Sequence, residues 1–188
     1  MIMADLYLTL LHYPVYDKDH KVVTTSITNM DIHDIARSAY TYGVKRYFVA
    51  NPVRTLRALS EKILDHWRSG YGSVYNETRK AALSLVALAD DLDDVIRAIE
   101  RESGKTPCVV VTSARSGARR SSFPEIAQLL REPGSPVLLV LGTGWGLVEA
   151  ILERADMILE PIQGVGTYNH LSVRAAAAIM LDRLRHAR

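Results

Sequence analysis

The chain has 188 residues, of which 48% are hydrophobic and 23% charged, and its formal net charge is +2. A chain of this size and composition can bury a full core without disulfides, and its small net charge favours no particular partner. The single cysteine excludes a disulfide framework, and no apolar run reaches the roughly 18 to 20 residues of a membrane span. We therefore expect a cytoplasmic globular protein without a membrane anchor.

The first half of the chain alternates between strand-like and helix-like segments. We predict strands at residues 5–11, 45–50 and 83–88, and helices at residues 28–43, 52–68 and 90–104. Thr28 or Asn29 can cap the first helix, and Gly43 can end it. Pro52 suits the first turn of the second helix. Residues 69–79 are polar, aperiodic and rich in glycine and tyrosine, so they predict a mobile loop.

The second half continues the same alternation. We predict strands at residues 107–111, 136–140 and 156–160, and helices at residues 123–132, 146–155 and 171–187. Continuous apolar strands between helices are typical of a parallel sheet that is covered on both faces. Because the sequence contains no repeat, linker or break in composition, we predict a single doubly wound α/β domain over residues 1–188, with a mostly parallel six-stranded sheet.

Two glycine-rich loops follow the last two predicted strands. They read LGTGWGL (residues 141–147) and EPIQGVGTYNH (residues 160–170). Ligands of open parallel sheets bind beyond the carboxyl ends of the strands, so both loops line one pocket if their strands are near neighbours. The first loop lacks the lysine of a P-loop, and its G-x-G-x-G spacing differs from the dinucleotide fingerprint. The pattern favours a neutral flat ligand such as adenosine, and the alternative is that the glycines only form tight turns.

The C-terminal residues carry a resemblance to a known family. Gly164 stands four residues before Tyr168-Asn169-His170, and Leu171-Ser172-Val173 then precedes an alanine-rich helix. Together with the earlier GTGWGL, this order resembles the SpoU-type branch of the SPOUT superfamily of RNA methyltransferases. Residues 168–174 look closer still to the form in bacterial tRNA guanine-N1 methyltransferases.

A second motif of the same family lies in the first predicted helix. Arg37-Ser38-Ala39, followed by Gly43-Val44, matches the SpoU pattern N-x-G-A-x-x-R-[ST]-A and the G-V after it. Asp31 and His33 stand where that pattern has asparagine and glycine. The resemblance therefore extends over the whole chain, but it leaves open which atom of the substrate is methylated.

The resemblance implies a fold, a cofactor and partners. Relatives of this kind form a C-terminal trefoil knot, here over about residues 107–188, which gathers the late loops around S-adenosylmethionine (SAM). It implies methyl transfer to tRNA or rRNA, S-adenosyl-L-homocysteine as product, and a homodimer. We expect no metal. The alternative function is a non-catalytic knotted module that binds RNA or a partner enzyme, with or without SAM. An NAD-type oxidoreductase is a weaker alternative, because the glycine spacing is wrong.

Candidate residues can be named for the cofactor, from the resemblance and the strand ends, and for RNA, from the charge pattern. The residues expected around SAM are Thr112, Ser113, Leu141, Gly142, Thr143, Gly144, Trp145, Gly146, Glu160, Pro161, Ile162, Gly164, Tyr168, Asn169, Leu171 and Ser172. Trp145 could instead pack in the core, and Ser172 could serve only the last helix. An arginine cluster, Arg115, Arg119 and Arg120, is the candidate RNA contact, since phosphate binding comes largely from such clusters. The alternative is an exposed polar loop.

Three residues are candidates for the catalytic step. Arg37 matches the family's catalytic arginine, but a guanidinium stays protonated at neutral pH, so we expect it to orient a phosphate or hydroxyl. Asp31 could accept a proton, although an acid also suits the start of a helix. His170 occupies the position of a family asparagine and could orient the acceptor or cap the last helix.

Overall fold

A computed structural model of the protein describes residues 4–115, 117, 120–166 and 168–186. Six strands form one parallel sheet in the order β5-β4-β1-β7-β6-β8, and two short strands form an antiparallel hairpin, β2-β3. The strands are β1 (Leu6–Leu11), β2 (Val15–Tyr16), β3 (Val22–Val23), β4 (Arg46–Ala50), β5 (Val86–Ala89), β6 (Cys108–Thr112), β7 (Val137–Gly142) and β8 (Met157–Leu159). The six-stranded parallel sheet confirms the predicted fold class.

Helices cover the sheet. They are α1 (Asn29–Thr41), α2 (Arg54–Arg68), α3 (Tyr71–Tyr75), α4 (Glu77–Leu83), α5 (Leu92–Ser103), α6 (Phe123–Arg131), α7 (Glu149–Leu152) and α8 (Val173–His186). Thr28 caps α1, as predicted, because its side chain accepts a hydrogen bond from the Asp31 amide. Ser122 and Glu125 form a capping box at α6, and Gly104 ends α5 with a left-handed φ of 71°. Local capping chemistry thus sets where these helices begin and end.

The core lies on both faces of the sheet. Alternate residues of the fully buried strand β1 point to opposite faces. Leu6, Leu8 and Leu10 join a cluster with residues of α1, α6 and α8, whereas Tyr7 and Leu11 join a cluster with residues of α5 and α7. This arrangement explains the continuous apolar strands, because each is covered twice.

The segment predicted as a mobile loop is largely helical. Most of it lies in α3 and the start of α4, and Gly72 packs so tightly that an added Cβ would lie 2.7 Å from the Trp67 ring. Asn76 caps α4 by accepting from the Arg79 amide at 2.9 Å. The strand predicted at 83–88 begins only at Val86, because Leu83 closes α4. The short helices have too few turns to produce a periodic sequence pattern.

The strand order brings the late loops to one edge of the sheet. β6 lies between β7 and β8, so the loops after all three strands leave the sheet side by side. The trefoil knot expected over residues 107–188 stays a prediction. In the described part of the chain, no helix is long and apolar enough to cross a membrane.

Candidate functional site

A cavity of about 930 Å³ opens at the carboxyl edge of the sheet. Its walls come from four stretches of chain: the segment before α1, the loop after β6, the glycine loop after β7, and the segment that opens α8. Ligand sites of small molecules have volumes of roughly 300 to 1,000 Å³. The cavity therefore has a size typical of ligand sites, and it lies at the edge of the sheet predicted for the ligand.

The glycine loop, residues 142–147, is held against the β2-β3 hairpin. The Trp145 amide donates to the Tyr16 carbonyl at 2.9 Å, and the Tyr16 amide donates to the Gly146 carbonyl at 2.9 Å. Gly144 has a φ of 60°, and a Cβ there would lie 2.7 Å from the Tyr16 carbonyl oxygen. Glycine is required because the backbones of loop and hairpin approach each other. The loop is therefore a braced wall of the cavity and not only a tight turn.

We expect Gly144→Ala to weaken binding of a ligand in this cavity about tenfold. A side chain at positive φ is strained, and the Tyr16 backbone has to move away from the new methyl group. Isothermal titration with SAM measures the effect. Gly134→Ala is the control, because a Cβ at Gly134 meets no described atom within 4 Å. Equal affinity of Gly144→Ala and the parent would contradict this account of the loop.

A partly buried ion pair joins α1 to α8 at the cavity. Arg174 Nη1 donates to Asp31 Oδ1 at 2.9 Å, and the Asp31 side chain is only 8% exposed. Asp31 Oδ2 accepts from the Thr28 hydroxyl at 2.6 Å. Arg174 also lies 3.5 Å from Asp34. Both oxygens of the Asp31 carboxylate are therefore engaged, and the ion pair ties the start of α8 to α1.

Most residues expected to bind the cofactor line the cavity, and their binding role stays a prediction. They are Thr112, Ser113, Leu141, Gly142, Thr143, Gly144, Trp145, Gly146, Ile162, Asn169, Leu171 and Ser172. Trp145 is 60% exposed, so it lies at the rim and not in the core. Ser172 also accepts from the Ala175 amide at 3.2 Å and so serves the first turn of α8.

The other four expected cofactor residues lie outside the lining. Glu160 accepts from the Phe123 amide at 3.0 Å and so serves the start of α6. Pro161 is buried, whereas Gly164 and Tyr168 are exposed. Among the described residues from 160 to 168, only Ile162 reaches the cavity wall, and the chain joins the wall again from Asn169.

The catalytic candidates also divide into residues that line the cavity and a residue that does not. Asp31 and the exposed His170 line the cavity, and the His170 ring packs edge-on against Tyr168 with 5.4 Å between ring centroids. Arg37 is exposed on α1 and lies outside the cavity lining. The structure of one chain thus brings two of the three candidates to the cavity.

Of the candidate RNA contacts, Arg115 is placed at the cavity. Its guanidinium donates to the Trp145 carbonyl at 3.3 Å and lies over the Tyr16 ring, 5.7 Å from the centroid. Arg120 turns back and donates to the Arg115 carbonyl at 3.0 Å. Arg119 lies outside the described residues. A cation at the rim beside an exposed tryptophan is suited to a polyanionic ligand.

Several cavity residues were not predicted from the sequence. Thr25 and Ser26 line the wall next to the hairpin, and Arg174 supplies the partner of Asp31. The polar run at residues 24–26, directly before a capped helix, was the available signal for the two hydroxyl residues. Nothing in the sequence pairs Arg174 with a residue 143 positions earlier. Among the described side chains, no group of three His, Cys, Asp or Glu residues could hold a metal ion.

Comparison with known proteins gives a family match over nearly the whole chain. The model of a family described as SAM-dependent RNA methyltransferase matches residues 5–186. A tRNA (guanine-N(1)-)-methyltransferase of Oleidesulfovibrio alaskensis is 45% identical over 180 residues, which are 96% of this chain and 42% of that protein. The chain thus spans less than half the length of this relative. An uncharacterised protein of Aquifex aeolicus is 41% identical, over 98% of this chain and 90% of its own.

A solved structure shares the fold at low sequence identity. The crystal structure of an AdoMet-bound rRNA methyltransferase from Sinorhizobium meliloti matches 98% of this chain and 57% of its own, with a TM-score of 0.60 and 16% identity. At this identity the match supports the α/β fold alone.

Proposed function

Because the chain belongs to the family of SAM-dependent RNA methyltransferases, we propose that it transfers a methyl group from SAM to a nucleotide of tRNA or rRNA. The product of the cofactor is S-adenosyl-L-homocysteine. The observation that supports this most is the cavity at the carboxyl edge of the sheet, where the family's glycine loop and the segment before α8 meet. The relative from Oleidesulfovibrio alaskensis makes a guanine N1 position of tRNA the first substrate to test.

The chemistry of the lining fits SAM. Apolar side chains offer a surface for an adenine ring, and they are Leu141, Leu147, Leu152, Ile162 and Met180. The backbone groups of the glycine loop and the Thr112–Ser113 segment offer hydrogen bonds to the polar groups of SAM. When bound, SAM supplies an activated methyl group on a sulfonium. The residues of this chain have to align the acceptor and exclude water.

The methylated atom has to lose a proton, and the kind of atom determines how much help the protein must give to that loss. A guanine ring nitrogen needs less assistance than a ribose 2′-hydroxyl, and a carboxylate can serve it. Both Asp31 oxygens already accept hydrogen bonds, so we assign Asp31 the role of holding Arg174 and the start of α8 at the cavity wall. His170 is exposed at the rim, and we assign it the orientation of the acceptor. Arg37 then acts on RNA from outside this cavity.

The proposed assembly is a homodimer of single knotted domains. Large apolar side chains are exposed on the glycine loop and on the segment between β8 and α8, and they are Trp145 (60%), Val165 (112%), Tyr168 (76%) and Leu171 (47%). A second subunit would cover such a cluster at little cost. A dimer would also bring a second Arg37 into reach of the RNA. Knotting of residues 107–188 and location in the cytoplasm remain part of the same proposal.

Two measurements test the proposed function. Isothermal titration with SAM should give one site per chain, and transfer of tritium from methyl-labelled SAM to total tRNA or rRNA should mark one RNA class. Absence of binding at millimolar SAM would contradict the proposal, because SAM is the proposed methyl donor. SAM binding without labelling of any RNA class, including transcripts that lack modifications, would favour the non-catalytic module.

We expect Arg115→Ala to lower RNA affinity several-fold. The slope of log affinity against log salt concentration should become less steep by about one, which corresponds to one lost phosphate contact. The side chain lies at the cavity rim beside Trp145, where an RNA backbone has to pass to reach the cavity. Filter binding at a series of salt concentrations measures the slope. Arg97→Ala on α5 is the control, since Arg97 does not line the cavity. An unchanged slope for Arg115→Ala would show that Arg115 contacts no phosphate.

A further inference from the structure

A buried histidine lies directly behind the glycine loop. His12 follows β1, its side chain is 0% exposed, and its amide donates to the Ala50 carbonyl at 3.0 Å. Burial lowers the pKa of His12 to about 4, and the opposing charge of Asp31 does not offset this effect. The imidazole is therefore neutral at physiological pH.

A chain of hydrogen bonds connects this imidazole to the cavity wall. His12 Nδ1 lies 3.0 Å from the Thr25 hydroxyl, and the Thr25 hydroxyl lies 2.5 Å from the Thr143 hydroxyl. The Thr143 hydroxyl donates to the Leu11 carbonyl at 3.3 Å. Thr25 and Thr143 both line the cavity, whereas the imidazole lies behind them.

The direction of these bonds follows from the carbonyl at the end of the chain. The arrangement that satisfies all three contacts directs the Thr143 proton to the Leu11 carbonyl, and the Thr143 oxygen then accepts from Thr25. The Thr25 hydroxyl has one proton, and its 3.5 Å contact with the His12 carbonyl is much longer than the 2.5 Å contact with Thr143. In this arrangement the Thr25 oxygen accepts from His12, which carries its proton on Nδ1.

This tautomer leaves His12 Nε2 as an acceptor without a hydrogen-bond partner among the described residues. A buried polar atom in this state costs free energy, and native proteins keep few of them. An apolar side chain of similar size would avoid that cost. The histidine thus gives the fold something that an apolar residue cannot, namely a buried donor at Nδ1.

We propose that His12 is a positioning residue for the cofactor loop: through Thr25, its Nδ1–H holds the Thr143 hydroxyl and so the glycine loop in the binding-competent form. Thr143 lies between Gly142 and Gly144, which have no side chains to anchor them. The hydroxyl of Thr143 is therefore the side-chain attachment for this part of the loop. Asn51 braces the same chain of bonds, since its amide donates to the Thr25 carbonyl at 3.0 Å. This inference rests on the proposed function, because it assumes that SAM is the ligand of the loop.

The test compares substitutions that keep the donor with substitutions that remove it. His12→Asn retains an N–H near the position of Nδ1, and His12→Leu does not. We expect His12→Leu and Thr143→Val to weaken SAM binding about tenfold in isothermal titration, and His12→Asn and Thr143→Ser to restore most of the affinity. The double variant His12→Leu/Thr143→Val should bind as Thr143→Val does, because both changes break one chain of bonds.

Each outcome decides the inference. SAM affinity of His12→Leu equal to that of the parent, or fully additive losses in the double variant, would overturn it. If His12→Leu fails to fold, Thr143→Val and Thr143→Ser carry the comparison, since Thr143 is partly exposed at the cavity wall. If the parent protein binds no SAM, the proposed function is refuted. If the parent and His12→Leu bind SAM with equal affinity, only the role of His12 is refuted.

Discussion

Arg174→Leu should lower the free energy of unfolding by about 1–3 kcal/mol, the range for leaving a buried polar group without its partner. The substitution leaves the 8% exposed Asp31 carboxylate without the guanidinium that faces it at 2.9 Å. Removing the cation costs more than the pair itself contributes, because the remaining charge stays buried. Urea unfolding followed by circular dichroism at pH 7 measures the change. SAM binding should weaken in parallel, since both residues line the cavity.

Two variants separate the ion pair from the loss of any arginine. Arg131→Leu, at the exposed end of α6, should change the free energy of unfolding by less than about 0.5 kcal/mol. The double variant Asp31→Asn/Arg174→Leu should regain most of the lost stability, because no charge is then buried alone. A double variant as unstable as Arg174→Leu would show that packing of the Arg174 side chain, and not its charge, stabilises the α1–α8 contact.

The strands and helix ends that depend only on neighbouring residues were predictable from the sequence. The parallel strands are apolar runs, and Thr28 and Gly104 mark the ends of helices through bonds to neighbouring residues. The glycine loop was predictable as a wall of the site because the carboxyl edge of a parallel sheet is where ligands bind. These inferences need no knowledge of distant contacts.

The features that were missed depend on contacts between distant parts of the chain. The β2-β3 hairpin has only two residues in each strand and is held by bonds from Tyr16 to the glycine loop. The Asp31–Arg174 pair and the His12–Thr25–Thr143 chain join residues on separate elements, and neither leaves a periodic pattern. The resemblance to a family placed Asp31 and Thr143 in the site, but the hydrogen bonds that orient them required the fold.

The stability of the protein should fall by about 2 kcal/mol between pH 7 and pH 5 through His12 alone. The pKa of His12 is about 4 in the folded protein, against 6.5 for an ordinary histidine. Below about pH 6.5 the unfolded chain takes up a proton that the folded protein rejects, so acid favours unfolding. The loss grows as the pH falls towards 4 and stops below it, where both states are protonated.

His12→Asn isolates this contribution, because asparagine does not titrate and keeps the donor to Thr25. Urea unfolding of the parent and of His12→Asn should be measured at pH 7, 6 and 5, and the stability of the parent relative to His12→Asn should fall by about 2 kcal/mol from pH 7 to pH 5. Other titrating groups act equally on both proteins, and the charge of Asp31 raises the pKa of His12 against the larger effect of burial. Parallel curves would mean that water or the Asp31 carboxylate stabilises a protonated His12 inside the fold. The imidazole would then donate from both nitrogens, and the orphaned acceptor at Nε2 that sets this residue apart would not exist.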